Sequence, residues 1–270
     1  MTCMDRFPGP IIVAPHFRPR PQLSHVLMDW DGTISLLRGG WVELMLDVCI
    51  EHAPEYSRDE LRAEILALNG KPSIHQMSRV AELAGTGSPD EYQCRYVERL
   101  AAIVSDRITA VRAGADLEPL LVPGAAALLR DLAVRGLKLT VVSGTPLPDL
   151  TDEAALLSLA TFFNGRLYGP IDTADREFTK RAAMHALIEG HGIDGEHFAA
   201  IGDGPVEIAE ARAMGGLAVA VASDESAPGS RRFDESKRRQ LLDCGADLVV
   251  PDFLDAGALV KVMLGEVSLT

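Results

Sequence analysis

Two carboxylic acids, Asp29 and Asp31, stand one residue apart directly after a short apolar stretch of the sequence. Gly32 and Thr33 follow them. Because side chains alternate along a strand, both acids are expected to point to the same side of a strand end. Like charges this close repel, so the pair requires a cation or a shared proton between its members. This cluster is the first candidate for a reaction centre.

A second polar cluster, Ser143, Gly144 and Thr145, follows the apolar run that ends at Val142. A hydroxyl and backbone N–H groups between a strand and a helix are suited to hold a phosphate. A simple helix cap is the alternative interpretation. Lys180, at the predicted start of a later helix, could neutralise a bound phosphate and the aspartates as a compact point charge.

A third acid, Asp203, follows another apolar run and lies between Gly202 and Gly204, with Glu207 four residues further on. All these clusters fall at predicted strand ends or helix starts. Active sites of parallel α/β folds lie outside the carboxyl ends of the strands, so the sequence predicts one shared site for them.

Alternating apolar strands and amphipathic helices predict an α/β fold with a mostly parallel sheet and helices on both faces. This Rossmann-like, three-layer core is assigned to residues 25–38 and 116–270. The predicted strands cover residues 26–28, 137–142, 165–168, 198–202, 217–222 and 247–250, and the predicted helices cover residues 125–135, 147–159, 178–191, 206–214, 237–244 and 254–264.

Residues 39–115 interrupt this alternation, because their pattern predicts helices and no strand. The helices are predicted at residues 41–52, 58–68, 74–83 and 89–109. An all-helical insert at this place in the chain is expected to act as a lid over the catalytic edge. Residues 1–24 contain five prolines and predict an extended arm, with a loosely ordered tail as the alternative.

The net charge of −13 argues against partners that present a dense negative surface, so we expect no nucleic-acid and no membrane partner. A small phosphorylated substrate remains compatible, since local cations can override the global charge. The four scattered cysteines contain no CxxC pair and are typical of a cytoplasmic protein. The polar segment 223–237 predicts a solvated loop, with a substrate contact by Arg231 or Arg232 as the alternative.

The four clusters, DWDGT, SGT, a lysine and GDGPVE, resemble in order and spacing the motifs of the haloacid dehalogenase-like (HAD) superfamily. The resemblance extends from about residue 24 over nearly the whole chain, and the helical insert resembles the cap domain of that superfamily. It implies a phosphatase-type member. A dehalogenase is disfavoured because Asp31, the acid that protonates a leaving alcohol, is present.

The resemblance implies that Asp29 is the nucleophile that attacks phosphorus and forms an aspartyl-phosphate. It implies that Asp31 protonates the leaving alcohol and then deprotonates the attacking water. Asp29, Asp31 through its backbone carbonyl, and Asp203 through its side chain are implied to hold Mg²⁺, which prefers hard oxygen ligands.

The same resemblance assigns Ser143, Gly144 and Lys180 to the phosphoryl oxygens. It assigns Thr33 to orienting the nucleophile loop. Glu207 stands where the superfamily more often has Asp. Its longer side chain could reach the metal through water or hold Lys180, and we leave both roles open.

Substrate selection is expected to come from the cap, because the core contacts only the phosphate. The candidate cap residues are Arg38, Trp41, Lys71, His75 and Gln76. For Trp41 the alternative is packing within its helix, and for His75 it is a solvated helix position. Lys71 could instead form a Schiff base if the protein were a phosphonate-cleaving enzyme.

The sequence therefore predicts a Mg²⁺-dependent phosphomonoesterase that acts on a small phosphorylated metabolite such as a sugar or cyclitol phosphate. A phosphomutase with the same residues and a non-catalytic module that binds a phosphate ligand are the alternatives.

Overall fold

The computed structural model describes residues 9–52, 55–68, 73–172, 175 and 177–267. The chain divides into two compact units. One, the sheet unit, comprises Met1–Leu36 and Asp116–Thr270, and the other, the helical unit, comprises Leu37–Ala115.

The sheet unit is built on seven strands within the described residues. These are β1 Ile12–Val13, β2 His25–Met28, β3 Lys138–Val142, β4 Leu167–Tyr168, β5 Phe198–Gly202, β6 Leu217–Val221 and β7 Leu248–Val250. Their order across the sheet is β1-β7-β6-β5-β2-β3-β4. All neighbours are parallel except β1, which runs antiparallel to β7.

In the part of the chain that the structure describes, eleven α-helices accompany these strands. They are α1 Trp41–His52, α2 Arg58–Ala67, α3 Ser73–Ala84, α4 Pro89–Arg112, α5 Ala125–Val134, α6 Leu147–Leu156, α7 Ala160–Phe163, α8 Lys180–Gly190, α9 Pro205–Ala213, α10 Glu235–Asp243 and α11 Ala256–Leu264. Every residue of β5 and β6 is buried, so both faces of the sheet are covered. This explains the continuous apolar runs of the sequence, and the predicted α/β class with an all-helical insert is confirmed.

Strand register brings the carboxyl ends of the central strands together. Met28, the last residue of β2, pairs with Val141 on one side and with Ile201 on the other. The Asp29 N–H continues this ladder by donating to the Ile201 carbonyl at 3.0 Å. The segments that follow β2, β3 and β5 therefore emerge side by side at one edge of the sheet.

The described part of the N-terminal arm, from residue 9, is extended and bonded to the sheet unit. Ile12 and Val13 pair with β7, and the Ala14 N–H donates to the Asp247 carbonyl at 2.9 Å. The Arg20 N–H donates to the Met263 carbonyl at 2.6 Å. The alternative of a loose tail is therefore wrong for these residues, and residues 1–8 lie outside the described chain. A two-residue edge strand among prolines leaves no alternating pattern to detect.

Two other predictions need correction. The helix predicted over residues 147–159 ends three residues early, because α6 stops at Leu156 and Ser158 adopts a left-handed φ of 61°, and a separate short helix, α7, begins at Ala160. The segment 223–237 is not a solvated loop throughout, since α10 begins inside it with Asp234 as its N-cap. The charged residues at its start carry no apolar periodicity, so the sequence predicts this helix only from residue 237, and the side chain of Lys237 is only 11% exposed.

The helical unit has a core of its own. Within its described residues it contains helices and no strand, as the sequence predicts. The buried side chains are Met45, Leu46, Val48, Cys49, Leu61, Ile65, Met77, Val80, Tyr92 and Tyr96. In α4 a capping box between Ser88 and Glu91, with Pro89 at the first helical position, defines the start of the helix.

No helix among the described residues combines the length and the apolar character that crossing a bilayer requires.

Candidate active site

Asp29 occupies the centre of the site, at the carboxyl end of β2. It is only 6% exposed, and its Oδ1 accepts the Trp30 N–H at 2.7 Å. The Lys180 Nζ, from the first residue of α8, lies 2.6 Å from the Asp29 Oδ2. Thr179 caps α8 by accepting the Ala182 N–H, which places Lys180 at the helix start as the sequence predicts. Two residues far apart in sequence thus form an ion pair in which Asp29 is buried and Lys180 is partly buried.

Trp30 lies between Asp29 and Asp31 and anchors the loop that carries both acids in the protein interior. Its indole is fully buried, and its Nε1–H donates to the Glu153 Oε2 at 2.9 Å. Its ring meets Phe163 edge to face with centroids 6.3 Å apart. Beyond the loop, the Ser35 N–H donates back to the Trp30 carbonyl at 2.9 Å. Sequence reasoning did not identify Glu153, because an acid within a helix carries no motif.

Asp31 turns to a different partner from Asp29. Its Oδ2 accepts the Thr145 Oγ1–H at 2.6 Å, which joins the first motif to the loop that follows β3. The two acids therefore need no cation between their own side chains, since an ammonium holds one and a hydroxyl the other. An acid that is hydrogen-bonded but only partly buried is suited to exchange protons.

The loop after β3 combines rigid and open positions. Ser143 is 1% exposed, its N–H donates to the Tyr168 carbonyl at 2.9 Å, and its Oγ accepts the Thr145 N–H at 3.0 Å. No heavy atom lies within 4 Å of the place where a side chain on Gly144 would begin. Gly169 must stay small, because a Cβ there would stand 2.3 Å from the Thr145 carbonyl oxygen. The loop thus leaves room for a ligand beside Gly144.

Asp203 and Glu207 complete an acidic cluster with Asp29. Each of the three offers a carboxylate oxygen, and these oxygens lie within 4.8 Å of one another. A Cβ on Gly202 would stand 2.2 Å from the Glu207 Cγ, and one on Gly32 would stand 2.3 Å from the Asp203 Oδ2. The glycines of the two motifs therefore make space for the carboxylates.

Glu207 serves two neighbours at once. Its Oε1 accepts the Gly204 N–H at 2.9 Å at the start of α9, and its Oε2 lies 3.7 Å from the Lys180 Nζ. Both roles left open by the sequence are compatible with this position. Thr33 donates through Oγ1 to the Asp203 Oδ1 at 3.4 Å, so it contacts the opposite motif as well as its own loop.

The electrostatics of the cluster are unbalanced in favour of negative charge. Burial raises the pKa of Asp29 well above its ordinary value, Glu207 and Asp203 act in the same direction, and the Lys180 ammonium acts against it. Burial lowers the pKa of Lys180, but attraction to Asp29 and Glu207 outweighs this and raises it. A divalent cation beside these carboxylates would lower the pKa of Asp29.

The donor set fits a hard metal ion. The cluster presents carboxylate oxygens, whereas cysteine and histidine are absent from it. Oxygen donors of this kind suit Mg²⁺ better than softer metals. Asp29 and Asp203 agree with the implied ligand set. The Asp31 side chain lies outside the cluster, so its implied contribution through the backbone carbonyl stays a prediction.

Lys237 is a second cation at the site that sequence reasoning missed. Its Nζ lies 2.8 Å from the Asp203 Oδ2 and 2.8 Å from the Glu225 Oε1. Lys237 and Asp203 are 34 residues apart, and no motif connects them. Their contact follows from sheet order, because β6, which precedes the segment carrying Glu225 and Lys237, lies beside β5.

The residues predicted to select a substrate lie in diverse surroundings within the helical unit. His75 is exposed and Arg38 is half-buried, whereas Lys71 lies outside the described residues. Trp41 packs against the core of the helical unit, as its alternative interpretation states. Gln76 is 3% exposed and its Nε2 donates to the Ile65 carbonyl at 3.3 Å, which corrects the expectation that it contacts a substrate. A buried amide needs such a partner.

The fold has many relatives among solved structures. A conserved haloacid dehalogenase-like protein from Agrobacterium tumefaciens matches with a TM-score of 0.66 at 17% identity, covering 89% of this chain and 99% of that one. A HAD family hydrolase from Deinococcus radiodurans, solved with bound phosphate and sodium, gives 0.62 at 18% identity, with 90% and 98% covered. A predicted phosphoglycolate phosphatase from Haemophilus somnus gives 0.60 at 15% identity, with 88% and 98% covered.

At these identities the likeness concerns the fold. No curated protein shows significant sequence similarity to the chain. A family model described as haloacid dehalogenase-like hydrolase matches residues 23–215, which is more than half of the sequence and includes all four motifs. The chain therefore belongs to the haloacid dehalogenase-like hydrolase family.

Proposed function

We propose that the protein is a Mg²⁺-dependent phosphomonoesterase that acts on a small phosphorylated metabolite, such as a sugar or cyclitol phosphate. The observation that carries the proposal is the convergence of Asp29, Lys180 and the acidic cluster at one sheet edge, with Asp31 hydrogen-bonded to Thr145 beside them. A carboxylate nucleophile, a fixed ammonium, a proton-exchanging acid and oxygen donors are the parts that phosphoryl transfer requires.

In the first step a carboxylate oxygen of Asp29 attacks phosphorus and the bond from phosphorus to the substrate oxygen breaks. The Asp31 carboxyl gives its proton to that leaving oxygen, so an alcohol departs and an aspartyl-phosphate remains on Asp29. The hydrogen bond from Thr145 to the Asp31 Oδ2 orients the carboxyl for this transfer.

In the second step water attacks the aspartyl-phosphate and the bond from phosphorus to the Asp29 oxygen breaks. Asp31, now ionised, takes a proton from that water, which restores both acids and releases inorganic phosphate. Splitting the hydrolysis in two lets the same acid serve as proton donor and then as proton acceptor.

Several groups of the chain hold the charge that develops on the phosphoryl oxygens. Lys180 supplies a compact positive charge next to the Asp29 Oδ2. In the loop after β3 the N–H groups of Ser143 and Thr145 are bonded within the protein, so the Gly144 N–H and the Ser143 hydroxyl are the donors proposed for a phosphoryl oxygen. The carboxylates of Asp29 and Asp203 would hold Mg²⁺, which supplies additional neutralisation of phosphoryl charge when bound. Substrate selection is proposed to reside in residues 39–115, because the motif residues address only the phosphate group.

The test is phosphate release from about a hundred phosphorylated metabolites, with and without Mg²⁺, by the wild type, Asp29→Asn and Asp31→Asn. The two variants make the same chemical change two positions apart. Asp29→Asn should abolish turnover, since the amide cannot form the intermediate. Asp31→Asn should slow turnover by about 10²- to 10⁴-fold, since it removes only proton transfer.

Other outcomes would replace the proposal with a defined alternative. Phosphate release from phosphopeptides alone would refute a metabolite substrate. Phosphoryl transfer between positions of one compound, dependent on a bisphosphate activator, would identify a phosphomutase. Borohydride trapping of a substrate adduct would identify a phosphonate-cleaving enzyme, and saturable ligand binding without turnover would identify a binding module.

A further inference from the structure

The segment after β6 places the ammonium of Lys237, whose side chain is largely buried, next to the acidic cluster. The Lys237 Nζ contacts one oxygen of Asp203 and one of Glu225, each at 2.8 Å. The side chains of Asp203 and Glu225 are themselves only 16% and 18% exposed. A buried ammonium is stable only where carboxylates compensate its lost hydration, so this three-residue arrangement, Asp203, Lys237 and Glu225, is an interdependent unit.

The backbone around this unit is fixed at both ends. Ser223 and Phe233 form an antiparallel bridge, and the Asp234 N–H donates to the Ala222 carbonyl at 2.9 Å. The loop between them is therefore closed at its base. Asp234 then accepts the Lys237 N–H at 2.9 Å as the N-cap of α10, which sets the position from which the lysine side chain reaches Asp203.

Asp203 is held from several sides by this and other contacts. Its Oδ1 accepts a hydrogen bond from the Thr33 hydroxyl at 3.4 Å, and its Oδ2 accepts one from the Lys237 ammonium at 2.8 Å. The missing side chain at Gly32 provides the space in which the carboxylate stands. Among these contacts only the one to Lys237 is charged, so it contributes most to fixing the carboxylate.

We propose that Lys237 is a positioning residue that holds the Asp203 carboxylate in place for Mg²⁺, and that Glu225 orients Lys237 for this task. The inference deepens the proposed function and rests on its metal site. Replacing a side chain that hydrogen-bonds to a metal ligand without touching the metal commonly lowers metal affinity by about 10- to 100-fold.

A nearby ammonium also repels a cation, and the structure indicates which effect dominates. Glu225 lies as close to the Lys237 Nζ as Asp203 does, so the lysine and Glu225 together carry no net charge. Their combined field on a cation is therefore small. Without the ammonium, the Asp203 and Glu225 carboxylates would repel each other, which turns Asp203 away from its position.

The experiment is calorimetric titration of the substrate-free protein, freed of metal, with MgCl₂. Lys237→Met should bind Mg²⁺ at least about 10-fold more weakly than the wild type. Lys261→Met makes the same change at an exposed position of α11 and should leave the affinity unaltered. Thermal unfolding of the same variants in EDTA tests for a purely structural role of Lys237. In that case Lys237→Met would lower the melting temperature, but the folded variant would bind Mg²⁺ as tightly as the wild type.

Glu225→Gln provides a second variant if Lys237→Met does not fold. It keeps the ammonium but removes the charge that offsets it, so Mg²⁺ should bind several-fold more weakly. Unchanged or tighter binding by a folded Lys237→Met or Glu225→Gln protein overturns the inference alone. A wild type that binds no Mg²⁺ overturns the proposed metal site and the inference with it.

Discussion

At the scale of single residues, the site depends on a tryptophan that performs no chemistry. Trp30 stands between the two acids of the first motif and is fully buried, with its Nε1–H bonded to the carboxylate of Glu153. A hydrogen bond to a buried charged acceptor stabilises more than one at the surface, because water cannot replace it. The orientations of Asp29 and Asp31 therefore depend on an interaction below them.

Trp30→Phe should lower the free energy of unfolding by about 1–3 kcal/mol, because it removes the donor to the Glu153 carboxylate. Urea-induced unfolding measures the change. Trp41→Phe is the matched control in the helical unit, where the indole is half-buried and packs on apolar side chains, and should cost less. Equal costs for the two variants would show that the bond to Glu153 adds nothing.

Residue types and spacing pointed to the acids, which follow apolar strands, and to the lysine, which stands at a helix start, because the motifs come in a recognisable order. They could not identify Glu153, Glu225 or Lys237, because a charged residue on a helix or loop looks the same whether it is exposed or buried. Only the neighbours across the sheet distinguish the two cases.

At the scale of elements, the turns that follow the parallel strands determine where the carboxylates stand. Gly32 has a φ of 72°, and a Cβ at that position would lie 2.3 Å from the Asp203 Oδ2. The turn after β2 and the turn after β5 therefore approach each other more closely than any side chain on residue 32 would permit. Gly32 therefore has two functions, because it adopts a left-handed φ and lets its backbone approach the Asp203 carboxylate closely.

Gly32→Ala should weaken Mg²⁺ binding and reduce phosphate release at least about 10-fold, because its methyl group displaces the Asp203 carboxylate, which we propose as a metal ligand. Titration with MgCl₂ and steady-state kinetics measure the two effects. Gly136→Ala is the matched control, with a φ of 79° and open space around its Cβ, at the opposite end of β3 from the site.

Both substitutions place an alanine in a left-handed conformation, so both should lose about 1–2 kcal/mol of stability. Only Gly32→Ala should lose metal affinity. The idea that close approach to Asp203 matters would be refuted by a Gly32→Ala protein that binds Mg²⁺ as tightly as Gly136→Ala does.

At the scale of the whole molecule, each of the two units has a core of its own. The sheet unit is formed by two separate segments of the chain, whereas the helical unit is one continuous segment. The helical unit, Leu37–Ala115, interrupts the sheet unit between β2 and β3. Each unit buries its own apolar side chains, including Leu61 in α2 and Leu139 in β3, which are both fully buried. Units with separate cores are expected to open separately.

Leu61→Ala should destabilise the helical unit by about 2–5 kcal/mol through the cavity that it leaves. Hydrogen exchange followed by mass spectrometry should then show faster exchange in the peptides of residues 37–115, while β5 keeps its protection. Leu139→Ala should instead speed exchange in the peptides of the sheet unit, while residues 37–115 keep their protection. Faster exchange across both units after either substitution would show that the molecule opens as one cooperative body.

The sequence by itself determined the family, the alternation of strands and helices, and the order of the chemical motifs. These are local properties, because each follows from the residue types and the period of a short segment. The pairing of the arm with β7, the end of α6 at Leu156 and the start of α10 at Glu235 lay beyond it, since a two-residue strand, one left-handed serine and a charged first helical turn carry weak periodic signals.

Only the tertiary structure decided which charges meet. The parallel register of β2 and β5 brings Asp29 and Asp203 together, the start of α8 adds Lys180, and the position of β6 beside β5 adds Lys237. Ion pairs between residues far apart in sequence depend on strand order and burial, which no short segment encodes. The physical reason is that the energy of a buried charge is set by its neighbours in space and by the absence of water.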